Sequence, residues 1–488
     1  MKNIIKIIIF LCIVVAQNIN AQMVGTPYIL TEIPSTQGTC NNYSTKGTDF
    51  WVTFGQNYNR TSLQVLLILK IATEEATNVT LNFTETGETV TLSNIAAYSL
   101  RTIDLSNVPS LGNKRGAVYN STSGVMSGTT RKSLHITSTK PITVYAFNTG
   151  SATSDATVLM STETWGNEYY RLSSSPYNDN DSYDVELIIA KEATVLTFSN
   201  GTTRNLSAGE VYYNTSATDM TGRRITSNKP VAYFAHTTLS AVPANRTFGD
   251  IIFEQIMPVD KWGTKFLVPN ARQKGVTSGG TDIDNTMNNL VRIVASANAT
   301  RVNFSGATRN GGQNITSGGT LNAGQYVELL LSSNTGACNI DTDKPVGVCA
   351  YLVGAGNNTN YLGDPAIAWI PPVNQTVSET IVAPFYPGTS ANGGSTNLNH
   401  ASSRHYATII TKTATKTQTK INNIYVTSGW TDNAASGYSY YVKQFNNTND
   451  INSIFKIENP DGIIVLCHGT SNIESYYYNA GSGACIVN

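Results

Sequence analysis

From Lys46 onward, apolar residues either alternate with polar ones or gather in short unbroken runs. The 3.6-residue spacing of an amphipathic helix is essentially absent past the leader, so the pattern predicts strands joined by polar turns. Val79, Leu81 and Phe83 fall on one face of such a strand, and Val302 and Phe304 fall on the equivalent face of a later one. Polar hairpins follow, as in Thr84-Glu85-Thr86-Gly87-Glu88 and Ser199-Asn200-Gly201-Thr202. Unbroken apolar runs such as Ile142-Thr143-Val144-Tyr145-Ala146 mark strands covered on both faces.

The pattern repeats. Lys140-Pro141-Ile142 returns as Lys229-Pro230-Val231 and as Lys344-Pro345-Val346, with a weaker copy at Asn459-Pro460 before Ile463. Proline holds the preceding residue extended and lacks an N–H, so each copy predicts the first position of a strand. The lysines read as solvated residues at the strand mouth. Upstream of each copy stands an Ala-Thr signature: Ala76-Thr77, Ala193-Thr194, Ala299-Thr300 and a degraded Ala414-Thr415. Joints link the copies: Met160 to Gly166, Met257 to Gly263, and Ile370-Pro371-Pro372 without the Trp-Gly. Recurrence at roughly 90–115 residues matches an ordinary domain length. The expected fold class is all-β, in about four tandem β-sandwich-like repeats, with a propeller-like ring of large blades as the alternative. The expected divisions are a leader at 1–21, an N-terminal segment at 22–45, and β units at 46–150, 151–245, 246–360 and 361–488, the last divergent.

Composition narrows the function. Charged residues are 13% of the 488, and the formal net charge is zero. Nucleic-acid binding needs a basic face to displace counterions, and none is visible. Met1-Lys2-Asn3-Ile4-Ile5-Lys6 followed by a short apolar run and Ala21 reads as a secretory signal peptide, too short to span a bilayer. No later stretch is apolar enough for a membrane-spanning helix. The leader, rich in Ile, Asn and Lys, reads as bacterial, and the expected location is secreted, extracellular or at the cell surface. Export permits disulfides. Cys338 and Cys349 flank the turn-like Asp341-Thr342-Asp343 and are candidates for a cross-strand bridge; Cys467 and Cys485 are a second candidate pair, or Cys40 reaches one of them.

Lys46-Gly47-Thr48-Asp49-Phe50-Trp51-Val52-Thr53-Phe54, the Lys-Pro strands and the Pro-x-x-x-Trp-Gly joints together resemble the IgGFc-binding protein N-terminal domain family. The resemblance runs to about Phe385, and the tail from about His400 departs from it. It implies an extracellular interaction module, and the family name implies antibody Fc. No Fc-contacting residue carries over position by position.

Among candidate chemistries, Asp179, Asp181 and Asp184 supply hard oxygens at near-alternating positions and form a weak candidate calcium site, short of the full loop pattern. The adjacent Cys467 and His468 point to opposite faces of a strand, which disfavours a nucleophile and base. No nucleophile elbow, phosphate loop or zinc spacing appears. Tyr438, Tyr440, Tyr441, Tyr476, Tyr477 and Tyr478 gather beside Trp430 in the last unit, and tyrosine offers rigid contact area with a polar tip. These are the candidate binding residues. The expected function is non-catalytic recognition or adhesion, with a glycoprotein such as IgG Fc or mucin as partner. The alternatives are a structural part of a bacterial surface assembly and, third, a carbohydrate-active enzyme.

Overall fold

The computed structural model describes residues 44–58, 65–105, 127–150, 153–244, 246–276, 282–286, 289–312, 319–331, 336–354, 363–384, 404–445, 450, 453–470 and 474–485. The leader, most of segment 22–45, Cys40 and His400 lie outside them. The regular structure in the rest is nearly all strand, in four curled sheets of one design and one two-stranded sheet, Arg272–Val276 with Asp282–Thr286.

Each sheet is organised by one long strand: Leu134–Gly150, Arg224–Ser240, Ala337–Leu352 or Phe455–Thr470. The prolines of the repeat sit near the middle of these strands, not at their first position as the sequence suggests. Residues 139–141, 228–230, 343–345 and 459–462 are paired to neither neighbour, so the missing proline N–H is not needed there. On either side of this gap the strand serves different partners. Its first half pairs with an entry strand (Lys46–Val52 in the first unit) and with a hairpin strand (Thr77–Phe83). Its second half lies between an outer strand (Leu66–Thr73) and an inner one (Thr153–Val158). The gap is where one strand passes between two layers.

The four inner strands, Thr153–Val158, Asp250–Ile256, Ala366–Trp369 and Ser475–Gly481, meet their neighbours in a cycle and close the units into a ring. One hydrophobic cluster joins the first and second units, another the third and fourth, and a third draws side chains from all four. The sheets thus stack face to face, so the sandwich-like repeats and the ring are two aspects of one structure. Burial on both faces explains the unbroken apolar runs. The first three sheets reach past the expected unit limits for their inner strands, and Ser127–Thr130 pairs with Val211–Ser216 of the second sheet. Val302 is buried as expected, while Phe304 is exposed.

The two Trp-Gly joints are sharp turns. Trp165 donates its indole N–H to the Met160 carbonyl at 3.3 Å, and Trp262 does the same to Met257 at 3.0 Å, each closing a single 3-10 turn. A Cβ added at Gly166 would stand 2.4 Å from Pro258, and one at Gly263 would stand 2.4 Å from Pro372. Each joint glycine therefore makes room for the proline of the next joint.

Inner edges present backbone N–H groups that no fifth strand can pair, and buried orphans are costly. Asp155 answers this directly. Its carboxylate accepts from the backbone of Ala156 (2.8 Å), Phe253 (3.1 Å), Ile367 (3.3 Å) and Tyr477 (3.4 Å), one from each inner strand. Glu254 accepts from Trp369 N–H at 2.9 Å, and Asp250 from Ser154 N–H at 2.5 Å. Asp250, Asp364 and Glu474 stand at or just before the start of the second, third and fourth inner strands, all buried. Burial pushes the Asp364 carboxyl up to about 7, and burial pushes Glu254 up to about 8 against the bond from Trp369.

Two outcomes are expected. Asp155→Ala, which orphans three buried N–H groups on other strands, should lower unfolding free energy by about 3 kcal/mol or more in urea titrations, and Asp155→Asn by clearly less. Unfolded carboxyls ionise near pH 4, whereas Asp364 and Glu254 stay neutral in the fold until about 7 and 8. Their stabilisation is complete below about pH 4 and is lost as pH rises through those values. Melting temperature should therefore fall between pH 5 and 8, and Asp364→Asn should flatten that slope.

Candidate binding clefts between the units

The structure places most sequence-derived candidates in structural roles. Tyr476, Tyr477 and Tyr478 form the fourth inner strand and are buried, so they cannot present a ligand face. A strand caught between a long strand and the ring interior has no open side. Tyr438, Tyr440, Tyr441 and Trp430 are half-buried: Trp430 packs against Tyr441 at 5.6 Å and donates to the Val426 carbonyl, and the Tyr440 hydroxyl donates to the Gly336 carbonyl at 3.1 Å.

The acidic run does not converge. Asp184 points inward, ion-paired to the buried Arg171, and accepts from the Ser173 hydroxyl (2.6 Å) and Met220 N–H (2.7 Å). Asp179 is exposed and accepts from Asp181 N–H in a local turn. Among the described residues no three His, Cys, Asp or Glu side chains form a metal-ion cluster, and the calcium site is corrected accordingly.

The cysteine pairings also change. Cys338, Cys349 and Cys467 are buried free thiols. Cys338 and Cys349 lie on one continuous strand, which separates them by about 35 Å at roughly 3.3 Å per residue. The expected turn at Asp341-Thr342-Asp343 does not exist. Cys485 is disulfide-bonded to a partner outside the described residues.

Concave polar surface lies instead at the seams. Between the first and fourth units a cleft of about 840 Å³ is lined by Lys46, Glu74, Glu75, Glu163 and Glu379. Lys46 Nζ stands 2.5 Å from Glu74 and 3.6 Å from Glu379, while Lys456 meets Glu379 at 2.8 Å and Lys140 meets Glu75 at 3.2 Å. Burial holds the Glu74 carboxyl above its usual range despite Lys46; at Glu379 burial is outweighed by Lys456 and Lys46, and its carboxyl is held below. The two carboxyl groups share the Lys46 ammonium between them.

A second cleft, about 360 Å³, opens where the second and third units meet, lined by Ser174, Ser175, Pro243, Arg292, Tyr326 and Glu328 among others. Arg292 projects from the strand Leu290–Ala295 and is 5% exposed. Its Nε donates to Glu328 at 2.7 Å; its Nη1 donates to the Ser173 carbonyl (2.5 Å), Asp219 (2.6 Å) and Thr221 (2.9 Å). Its guanidinium lies 5.0 Å from the ring centre of Tyr326 and 5.8 Å from that of Tyr351. Burial opposes ionisation of Asp219, but Arg292 and the Thr221 bonds outweigh it and hold the carboxyl below its usual range. Lys46 to Thr48 and Pro141 of the recurring phrases line the first cleft, but nothing local foretells either cleft, because the walls come from residues far apart in the chain.

Among the described residues no helix is long and apolar enough to cross a membrane. Comparison with curated proteins finds no match. The family model described as IgGFc binding protein matches residues 36–213 and 155–469. The second match extends into the tail that departs in sequence, and the fourth sheet repeats the layout of the other three. With four copies of one curled sheet under a family match that spans most of its length, the chain belongs to the IgGFc binding protein family.

Proposed function

We propose that this protein is an extracellular, non-catalytic recognition protein that binds a glycoprotein, with IgG Fc and mucin-like glycoproteins as the ligand classes. The observation that supports this most is the wide cleft between the first and fourth units. It is open, polar and edged with alternating carboxylates and lysines, the kind of surface that steers and orients a charged protein partner. The family description agrees with a protein ligand.

The same cleft favours a second reading, a carbohydrate-active enzyme. Glu74 and Glu379 are pushed to opposite sides of the carboxylate range, the split on which acid–base pairs rely. Yet glycosidase carboxyls flank an open space that admits the scissile bond, whereas these two both contact the Lys46 ammonium, at 2.5 and 3.6 Å. That contact favours recognition.

The test is surface binding of the full chain to immobilised IgG Fc beside a mucin, with reducing-sugar release measured on the mucin. Saturable binding to either surface is expected. The double variant Glu75→Lys with Glu163→Lys, which reverses charge at the cleft, should weaken it at least tenfold without changing the melting temperature. Sugar release would favour the enzyme. A folded chain that binds neither surface would overturn recognition and favour a structural role in a bacterial surface assembly.

A further inference from the structure

The cleft between the second and third units carries a feature that structural burial alone does not use. Arg292 is buried, and its contacts fix it in place: a carboxylate on Nε, a carbonyl and a carboxylate on Nη1, and two tyrosine rings near the guanidinium. Among the described residues its hydrogen bonds run from Nε and Nη1, none from Nη2, and the side chain lines the cleft. A guanidinium nitrogen without a protein acceptor is free to donate to a ligand oxygen, and charge-assisted bonds of this kind are strong. The nitrogen is held rigidly, so binding loses little side-chain freedom.

The surroundings define what that acceptor belongs to. Asp219 and Glu328 already outnumber the charge of Arg292, which disfavours an anionic ligand. A donor at the mouth of the cleft disfavours a cation. A neutral group rich in oxygen remains. The same wall offers the Glu328 carboxylate and the Ser175 hydroxyl, which donates to Asp219 at 3.4 Å and can still accept, with apolar surface from Pro243 and the half-exposed Tyr326. Hydroxyl partners at the edges and apolar faces beside them suit a pyranose ring, which has the same division. A volume of about 360 Å³ sits at the small end of ligand pockets, near 300–1,000 Å³.

We propose that this seam cleft is a binding site for a neutral saccharide unit, with Arg292 Nη2 donating to a ring or hydroxyl oxygen. The site is separate from the wide cleft, and the two readings can fail independently.

The test is titration of the full chain with galactose, mannose and N-acetylglucosamine, with N-acetylneuraminic acid and tetraglycine as comparators, followed by saturation-transfer NMR and calorimetry. Saturable binding of at least one neutral sugar is expected at about millimolar affinity, with N-acetylneuraminic acid at least tenfold weaker. Arg292→Lys should weaken sugar binding at least tenfold. Because Arg292 also anchors Asp219, Tyr326→Ala is the companion variant: its ring is half-exposed, and it should lose about fivefold with the chain still folded at the assay temperature. Absence of binding by every neutral sugar to the folded chain would overturn the proposal, whatever the result with Fc. So would sugar binding indifferent to both variants, and so would tetraglycine binding that Arg292→Lys abolishes while sugars do not bind, which would assign the cleft to a peptide.

Discussion

Everything in this ring depends on what happens to four sheet edges when they meet at one axis. An edge strand exposes a row of N–H and C=O groups, and proteins cover, charge or pair such rows. Here the four inner edges are buried with no further strand to pair them. Side chains take the strand's place, and Asp155 is the centre of the arrangement, reaching one backbone N–H on each inner strand. Asp250, Glu254 and Gln255 extend the same solution along the axis, Gln255 by accepting from Met160 N–H at 2.9 Å. The cost is a group of buried carboxyls whose charged form burial and mutual repulsion disfavour: Asp250 is pushed well above its usual range by burial, then by Asp364, Glu474 and Asp155.

Closure of the ring dictates the packing around it. A sheet with neighbours on both faces must be apolar on both, which the second halves of the long strands satisfy. The joints set how closely successive units approach. A buried tryptophan closes each turn through its indole N–H, and the glycine after it admits the next proline. The Trp-Gly pair of the sequence is therefore a spacing device, and its absence at Ile370-Pro371-Pro372 falls where the last unit begins.

Seams between units are also where charge enters the interior. A charge taken from water must be paired or held by hydrogen bonds. Lys46 is held by Glu74 and Glu379, and Arg292 by Asp219 and Glu328. Both cations bridge segments of different units, so the polar groups that hold the ring together also line its clefts. Recognition surface arises here as a consequence of assembly, on side chains whose positions are fixed by packing.

The sequence by itself determined the strand content, the fourfold repeat and the family resemblance, because alternation and repeated phrases are local and survive in one dimension. Val79, Leu81 and Phe83 are buried together as their spacing requires, and the Lys-Pro phrases do mark equivalent strands. What lay beyond reach was decided by non-local contact. Pro141 reads as a strand start because proline lacks a donor, yet the strand runs through it where both neighbours have stepped away. Cys338 and Cys349 read as flanking a turn, yet they lie along one strand. The tyrosines of 476–478 read as a contact face, but the ring encloses them. Asp155 and Arg292 carry no local signal at all: a carboxylate is an axial acceptor, and a guanidinium a cleft donor, only once residues about 100 to 320 positions away in the chain have been brought beside it.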